Sequence, residues 1–109
     1  MNNETMGEFI SLETASEWTS RFRTVVPAGS IIASAVSKSI IIDILQQEGC
    51  EGIRFYYGIN DDNTQVLIAV GVDSNGDDLY KGLIANRFKN CPTNCPSPSP
   101  LNQAHVSIT

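Results

Sequence analysis

Apolar residues recur at helical spacing in two segments of the chain, and the first segment begins near residue 11. Its stripe consists of five side chains that are three or four positions apart: Leu12, Ala15, Trp18, Phe22 and Val25. Because this spacing places them on one side of a helix, we expect the stripe to be buried, with Trp18 as a core anchor. Ser11 can cap the N-terminus, Thr14 and Glu17 offer an alternative capping box, and Pro27 ends the helix.

The second helical segment follows a stretch of small and β-branched residues. That stretch, SIIASAV at residues 30–36, favours extended chain, with a helix as the alternative. Ser37 can then act as an N-cap for a second helix. Its apolar face has four members: Ile40, Ile41, Ile44 and Leu45. Gly49 is typical of a helix C-terminus, so the pattern predicts a helix that closes there.

Alternation with a period of two replaces the helical spacing after residue 51. Residues 52–60, GIRFYYGIN, alternate apolar side chains with Arg54 and Tyr56, and residues 65–72 have valine or isoleucine at every second position. The polar NDDN between them is a hairpin connector. The two segments therefore predict an antiparallel pair with an apolar face that the helices cover. Residues 79–88 can return as a third strand.

The chain changes character again after residue 89. Four of its five prolines lie in this part, and three of them alternate with serine: Pro96, Pro98 and Pro100. Alternating proline favours extended chain over packed structure. We therefore predict one α+β domain at residues 1–89, with two amphipathic helices packed on a short antiparallel sheet of two to three strands. A Pro-rich C-terminal arm follows at residues 90–109, and its end, AHVSIT, can add to a sheet edge.

Composition and charge narrow the class of partner. The 109 residues include twelve acidic and seven basic side chains, a formal net charge of −5, so the chain has no long-range attraction for nucleic acid phosphates. Its apolar runs fall far short of the roughly 20 residues of a membrane span. The first nine residues contain two glutamates and no basic residue, unlike a signal peptide. We expect a cytoplasmic protein with no nucleic acid or membrane partner.

Three cysteines and one histidine are the candidate metal or redox residues: Cys50, Cys91, Cys95 and His105. They match the ligand set of a tetrahedral zinc site, but they are not spaced as in a zinc knuckle. A reducing cytoplasm keeps thiols free, and a bridge between Cys91 and Cys95 would stabilise by only about 2 kcal/mol because it closes a short loop. We therefore expect unbridged thiols, without metal or redox chemistry, and no cofactor.

The sequence DSNGDD at residues 73–78 resembles the start of a calcium-binding loop through Asp73, Asn75 and Asp77. The sixth position of such a loop requires glycine and the twelfth an acid, whereas this chain has Asp78 and Ile84 there. An Asn-Gly pair between two apolar runs is typical of a hairpin turn. We therefore predict a turn without calcium.

Three motifs together resemble a group of small, uncharacterised bacterial proteins. They are GCEGIRFYYG at residues 49–58, GVDSNGDDLYKGLIA at residues 71–85 and CPTNCP at residues 91–96. The resemblance covers the last two thirds of the chain. It implies a small stand-alone bacterial protein, and it transfers no catalytic or binding residue.

Arg54 and Tyr56 are the remaining functional signal, because they face away from the apolar side of their strand. Exposed arginine and tyrosine often form interface hot spots, and a solvated cross-strand pair is an equal alternative. No acid, base and nucleophile converge, so we predict a non-enzymatic protein-interaction or assembly module that binds a protein partner or a second copy. Its predicted contact residues are Arg54, Tyr56, Pro96, Pro98 and Pro100. The alternative is a thiol- or zinc-dependent protein that uses Cys50, Cys91, Cys95 and His105.

Overall fold

The computed structural model describes residues 5–103, which contain two helices and five strands. In chain order they are α1 (Leu12–Val25), β1 (Ala33–Ala35), α2 (Lys38–Leu45), β2 (Gly52–Ile59), β3 (Gln65–Val72), β4 (Ile84–Ala85) and β5 (Lys89–Cys91). One small sheet contains β1 and β5, and the other has the order β2, β3, β4, so the predicted α+β class is confirmed. Internal contacts divide the described chain into two units. The first is residues 35–89, and the second combines residues 5–34 with residues 90–103.

The first unit is built on the predicted hairpin of β2 and β3. The two strands pair in antiparallel register over eight residues each. The connector closes on Asn60, whose N–H donates to Thr64 O at 3.0 Å. β4 adds only two residues to the far side of β3, fewer than the third strand predicted over residues 79–88. One reason is that Leu83 N–H donates to the side chain of Gln47 at 2.8 Å instead of to β3.

The register of the hairpin places the apolar alternations of β2 and β3 on opposite faces of the sheet. The aromatic face has four side chains of β2: Ile53, Phe55, Tyr57 and Ile59. The arginine face has Arg54 and Tyr56 of β2 opposite Val70 and Ile68 of β3. The alternation predicted that both strands contribute to one apolar face, but the register places the two alternations on opposite faces. Both faces contain apolar side chains.

α2 lies against β2 and β3 in this unit. Ile44 is its most buried residue, at 1% exposure. The turn after the helix reaches the end of β3, because the side chain of Gln47 and the thiol of Cys50 both approach Gly71. Gln47 Nε2 also donates to Ile44 O at 2.9 Å, which fixes the side chain at the helix end. Gln47 and Cys50 therefore cover this end of the sheet. The predicted packing of two amphipathic helices on the sheet is not confirmed.

The boundaries of α2 agree with the prediction at the start and differ at the end. Ser37 occupies the N-cap position, although its side chain makes no capping hydrogen bond. The helix ends at Leu45, and Gly49 instead forms the turn before β2, with a φ of +79° that glycine tolerates. Of the predicted apolar face, Ile44 alone is buried.

In the second unit, α1 begins at the predicted N-cap. Ser11 Oγ accepts the N–H of Thr14 at 3.0 Å, so the alternative capping box is wrong. The predicted apolar stripe is not buried, because Trp18 is 54% exposed and Phe22 is 47% exposed. Trp18 is therefore not a core anchor.

The buried residue of α1 is Ser16, and its neighbours on the hidden side are small or hydroxylated. Ser16 Oγ donates to Glu13 O at 3.2 Å, and Thr19 Oγ1 donates to Ala15 O at 2.9 Å. Because each hydroxyl finds an acceptor within its own helix, this side can be covered without leaving a donor unsatisfied. Among residues 5–103, no helix is long and apolar enough to cross a membrane.

The predicted extended stretch over residues 30–36 contains β1, so the helical alternative is wrong there. β1 pairs with β5. Ile32, just before β1, donates its N–H to Cys91 O of β5 at 2.8 Å. Between the two strands, Ser34 Oγ donates to Asn90 Oδ1 at 2.6 Å.

The Pro-rich segment is folded as far as Gln103, and the predicted extended arm is not confirmed. Ser99 O accepts the N–H of Gln103 at 3.2 Å, which closes a turn. Arg23 of α1 donates to Leu101 O at 2.6 Å and to Gln103 O. These contacts tie the segment to the helix within the second unit. The predicted β-capable end, residues 104–109, lies outside the described residues.

The contact between Gly71 and the turn after α2 is open to a direct test. A Cβ atom on Gly71 would lie 2.9 Å from Cys50 Sγ and 3.1 Å from Gln47 Nε2. We expect Gly71→Ala to lower the free energy of unfolding in urea by about 1–3 kcal/mol. Since Cys50→Ala removes the nearest atom, the double variant should lose less than the sum of the two single changes. Strict additivity would contradict this contact.

Candidate interaction surface

Arg54 and Tyr56, two of the predicted contact residues, meet one carboxylate on the arginine face. Arg54 Nη1 donates to Asp78 Oδ1 and, at 3.2 Å, to Gly76 O. The Tyr56 hydroxyl donates to Asp78 Oδ2. Asp78 reaches them because the turn after β3 folds back and pairs this residue with Val72. We call Arg54, Tyr56 and Asp78 the Asp78 cluster.

Hydrogen bonds and charge shift the protonation equilibria of the Asp78 cluster. The hydrogen bond from the Tyr56 hydroxyl, followed by the bond and charge of the Arg54 guanidinium, lowers the pKa of Asp78. The hydrogen bond to Asp78 raises the pKa of both Tyr56 and Arg54. At neutral pH the cluster therefore has one positive and one negative charge, which cancel.

Asp78 was not among the predicted contact residues, because the sequence pattern at residues 73–78 predicted only a turn. The turn itself is confirmed: Asp73 Oδ1 accepts the N–H of Asn75 at 2.9 Å and of Asp77 at 3.0 Å. Arg54 on the polar side of β2 could have indicated an acidic partner, since the neighbouring strand leads into an acidic turn. To choose Asp78 within that turn, the hairpin register must be known, and sequence alternation alone does not provide it.

Among residues 5–103, β2 has a neighbouring strand on one side alone, because it is an edge strand of its sheet. Asn60 N–H donates to Thr64 O, so this is a hydrogen-bonded pair. Along an antiparallel pair of strands, hydrogen-bonded and non-hydrogen-bonded residue pairs alternate. The even-numbered residues of β2 therefore direct their backbone N–H and C=O groups to β3. The odd-numbered residues direct theirs outward: Ile53, Phe55, Tyr57 and Ile59. Within residues 5–103, no other strand pairs with these outward groups. We call this side the open edge.

The residues of the open edge also have exposed apolar side chains on the aromatic face. Tyr57 is 79% exposed, Ile59 is 73% exposed and Phe55 is 46% exposed. Phe55 has an edge-on contact with Phe88, with ring centroids 6.3 Å apart. Backbone hydrogen-bonding capacity and accessible apolar surface therefore coincide along one strand.

Cys91 and Cys95 form a disulfide bond, so the prediction of unbridged thiols is wrong at these positions. Their Cα atoms are 4.6 Å apart, within the range that a disulfide requires. The turn after β5 brings them together, because Asn94 N–H donates to Asn90 O at 2.8 Å. Local chain geometry therefore brings the two sulfur atoms together.

The four candidate zinc ligands have different surroundings. Two of them form the disulfide, and a bridged sulfur is not a thiolate ligand. Cys50 has a free thiol that donates to Gly52 O at 3.2 Å. His105 lies outside the described residues. In the described part of the chain, no group of three His, Cys, Asp or Glu side chains is placed to hold a metal ion.

The predicted contact prolines belong to the second unit. Pro96 and Pro98 are exposed, and Pro100 is half-buried. The first two line a depression of about 440 Å³ together with Arg23 and Val26. The five predicted contact residues are therefore divided between the two units.

Comparison of the chain with protein-family models, curated proteins and solved structures finds no match. The resemblance to small bacterial proteins stays a prediction. The functional interpretation therefore depends on the open edge and the Asp78 cluster.

The lowered pKa of Asp78 makes stability depend on pH in the acidic range. A carboxyl with a lowered pKa in the folded chain stabilises above its ordinary pKa of about 4, and this contribution is lost as the pH falls through the folded value. We expect Asp78→Asn to be less stable than the wild type at neutral pH and the difference to shrink at about pH 2, measured by urea denaturation. Asp77→Asn removes a charge from the same turn and is the control. Equal pH profiles for the two variants would contradict the cluster.

The disulfide leads to two predictions, one for the mass of the protein and one for its free energy of unfolding. Protein purified without reductant should be lighter by two hydrogen atoms than the same protein after reduction. Because the loop is short, Cys91→Ala/Cys95→Ala should lower the free energy of unfolding by about 2 kcal/mol. Cys50→Ala, the control, should keep the mass difference. A wild-type mass that reductant leaves unchanged would show that the bridge does not form.

Proposed function

We propose that this chain is a protein-interaction module that binds another polypeptide along the open edge. One observation carries the proposal: the outward backbone groups of β2 and its exposed apolar side chains belong to the same residues. In β-strand addition, backbone bonds provide affinity and alternate side chains provide specificity. Tyr57 and Ile59 would contact every second side chain of the added strand.

The composition of β2 supports this proposal. Natural edge strands avoid unplanned pairing through lysine, proline, bulges or a covering segment. β2 contains no lysine or proline, and its register with β3 runs without a bulge from Gly52 to Ile59. Three of these obstacles, namely lysine, proline and a bulge, are therefore missing from β2.

The Asp78 cluster supports the proposal indirectly. Arg54 is the one charged residue of β2, and its guanidinium is bound to Asp78 and to Gly76 O. These bonds hold the side chain on the arginine face and cancel its charge. An added strand therefore meets an edge without net charge, whereas an unpaired arginine would have to be desolvated or matched by the partner. In this proposal Arg54 and Asp78 are positioning residues, and Tyr56 keeps an accessible side chain.

Selection from a library of random ten-residue peptides tests the open edge without assuming a partner. The protein is immobilised sparsely, so that two copies cannot meet. We expect the recovered peptides to have apolar residues at every second position. Their affinity for Tyr57→Pro should be at least about tenfold weaker, because proline removes one outward N–H and leaves the bonds to β3 intact.

Asn75→Ala, in the turn after β3, is the matched control and should bind the peptides as the wild type does. Urea denaturation shows whether Tyr57→Pro is folded. If it is not, Tyr57→Lys replaces it, since lysine keeps the backbone donor and adds a charge to the edge. Failure to enrich any peptide, or equal affinity for wild type and a folded edge variant, would overturn the proposal.

A further inference from the structure

We infer that the polypeptide at the open edge is a second copy of this chain, paired β2 to β2 in antiparallel orientation with Tyr56 on the two-fold axis. This inference rests on the proposed function and identifies the polypeptide that the open edge binds. A two-fold pair uses the same surface on both copies, so each outward backbone group must face an outward group of the other copy. β2 meets this requirement in one register.

The outward backbone groups select that register. They belong to residues 53, 55, 57 and 59, whose midpoint is residue 56. With the axis there, Ile53 faces Ile59 of the second copy, and Phe55 faces Tyr57. Each outward residue then exchanges two hydrogen bonds with an outward residue. The eight bonds of the four pairs fall within the usual range for an interface of about 10 ± 5.

Neighbouring registers fit less well. With the axis at residue 55, Ile59 would face Glu51 of the second copy, and Glu51 N–H is already bonded to Val72 O at 2.7 Å. With the axis at residue 57, Ile53 would face Asp61, which lies beyond the end of β2 in the hairpin turn. Either shift therefore leaves three outward pairs instead of four.

The side chains favour the same register. On the aromatic face, Phe55 lies beside Tyr57 of the second copy, a cross-strand aromatic pair of the kind that stabilises sheets. On the arginine face, Arg54 lies beside Gly58, so the two arginines do not face each other. Tyr56 meets its own equivalent, and each neighbouring Arg54 is matched by its own Asp78. The axis therefore brings together two clusters without net charge.

Charge outside β2 opposes this pair and gives it a characteristic salt dependence. Each copy has a formal net charge of −5, and Glu51 of one copy approaches Asp61 of the other at both ends of the paired strands. Salt screens both repulsions, so association should strengthen as ionic strength rises from about 0.02 to 0.5 M. Asp61→Asn should strengthen it at low salt. Association through ion pairs would have the opposite dependence.

Cysteine crosslinking of the full chain tests the partner and the register together. All variants are made in a Cys50→Ala background, which removes the free thiol. Tyr56→Cys places two thiols at a non-hydrogen-bonded pair, where a Cβ separation of about 4.5 Å suits a disulfide. Under mild oxidation we expect a covalent dimer from Tyr56→Cys, and at least about tenfold less from Asn75→Cys, from the background alone, or from Phe55→Cys and Tyr57→Cys.

Sedimentation velocity completes the test. We expect the wild type to form a reversible dimer and Tyr57→Pro, or Tyr57→Lys if the first does not fold, to be a folded monomer. A wild type that is monomeric up to about 500 µM and gives no Tyr56→Cys crosslink would overturn the inference. The peptide selection is independent of this result, so the proposed function would still stand.

Two other results would also overturn the inference. The first is a dimer that survives in the folded edge variant or crosslinks best at position 55 or 57. The second is slow hydrogen exchange of the odd-numbered β2 amides in a dilute monomer, which would show that another segment of the same chain covers the open edge.

Discussion

The pairing of Gly52 with Val72 and of Ile59 with Gln65 determines what the larger sheet presents. Because side chains alternate along a strand, this register places the aromatic residues of β2 on one face and the valines of β3 on the other. It also determines which backbone groups of β2 point away from β3. A slip of one residue would move the side chains of one strand to the opposite face and reverse the direction of its hydrogen bonds. The aromatic face, the Asp78 cluster and the open edge therefore all depend on one set of strand pairs.

Signals that act over a few residues predicted most of the helices and strands. Ser11 begins α1 through a hydrogen bond to Thr14, and the polar connector closes the hairpin where the alternation breaks. The pattern could not indicate which side of a helix is covered. Trp18 belongs to an apolar stripe, yet the hidden side of α1 has Ser16, whose hydroxyl is satisfied by its own backbone. Helical periodicity identifies an apolar side, and packing decides whether that side is buried.

Contacts between residues that are distant in sequence explain why part of the candidate site was not predicted. Arg54 and Tyr56 are recognisable from strand alternation, but Asp78 follows them by 24 and 22 residues and approaches only through the hairpin register. The disulfide was not predicted for another reason. A local turn brings Cys91 to Cys95, whereas the prediction of unbridged thiols came from the expected compartment. The cytoplasmic location stays a prediction.

The two units differ in when all of their residues become available during protein synthesis. Residues 35–89 are continuous, whereas the second unit combines residues 5–34 with residues 90–103. Arg23 must wait for carbonyl partners that are made 78 and 80 residues later, but β2 can pair with β3 as soon as the latter leaves the ribosome. The outward side of β2 therefore exists on the nascent chain before the second unit can close. Ribosomes that follow one another along the same message hold such chains side by side, so the pairing of two copies proposed above would be able to begin during translation.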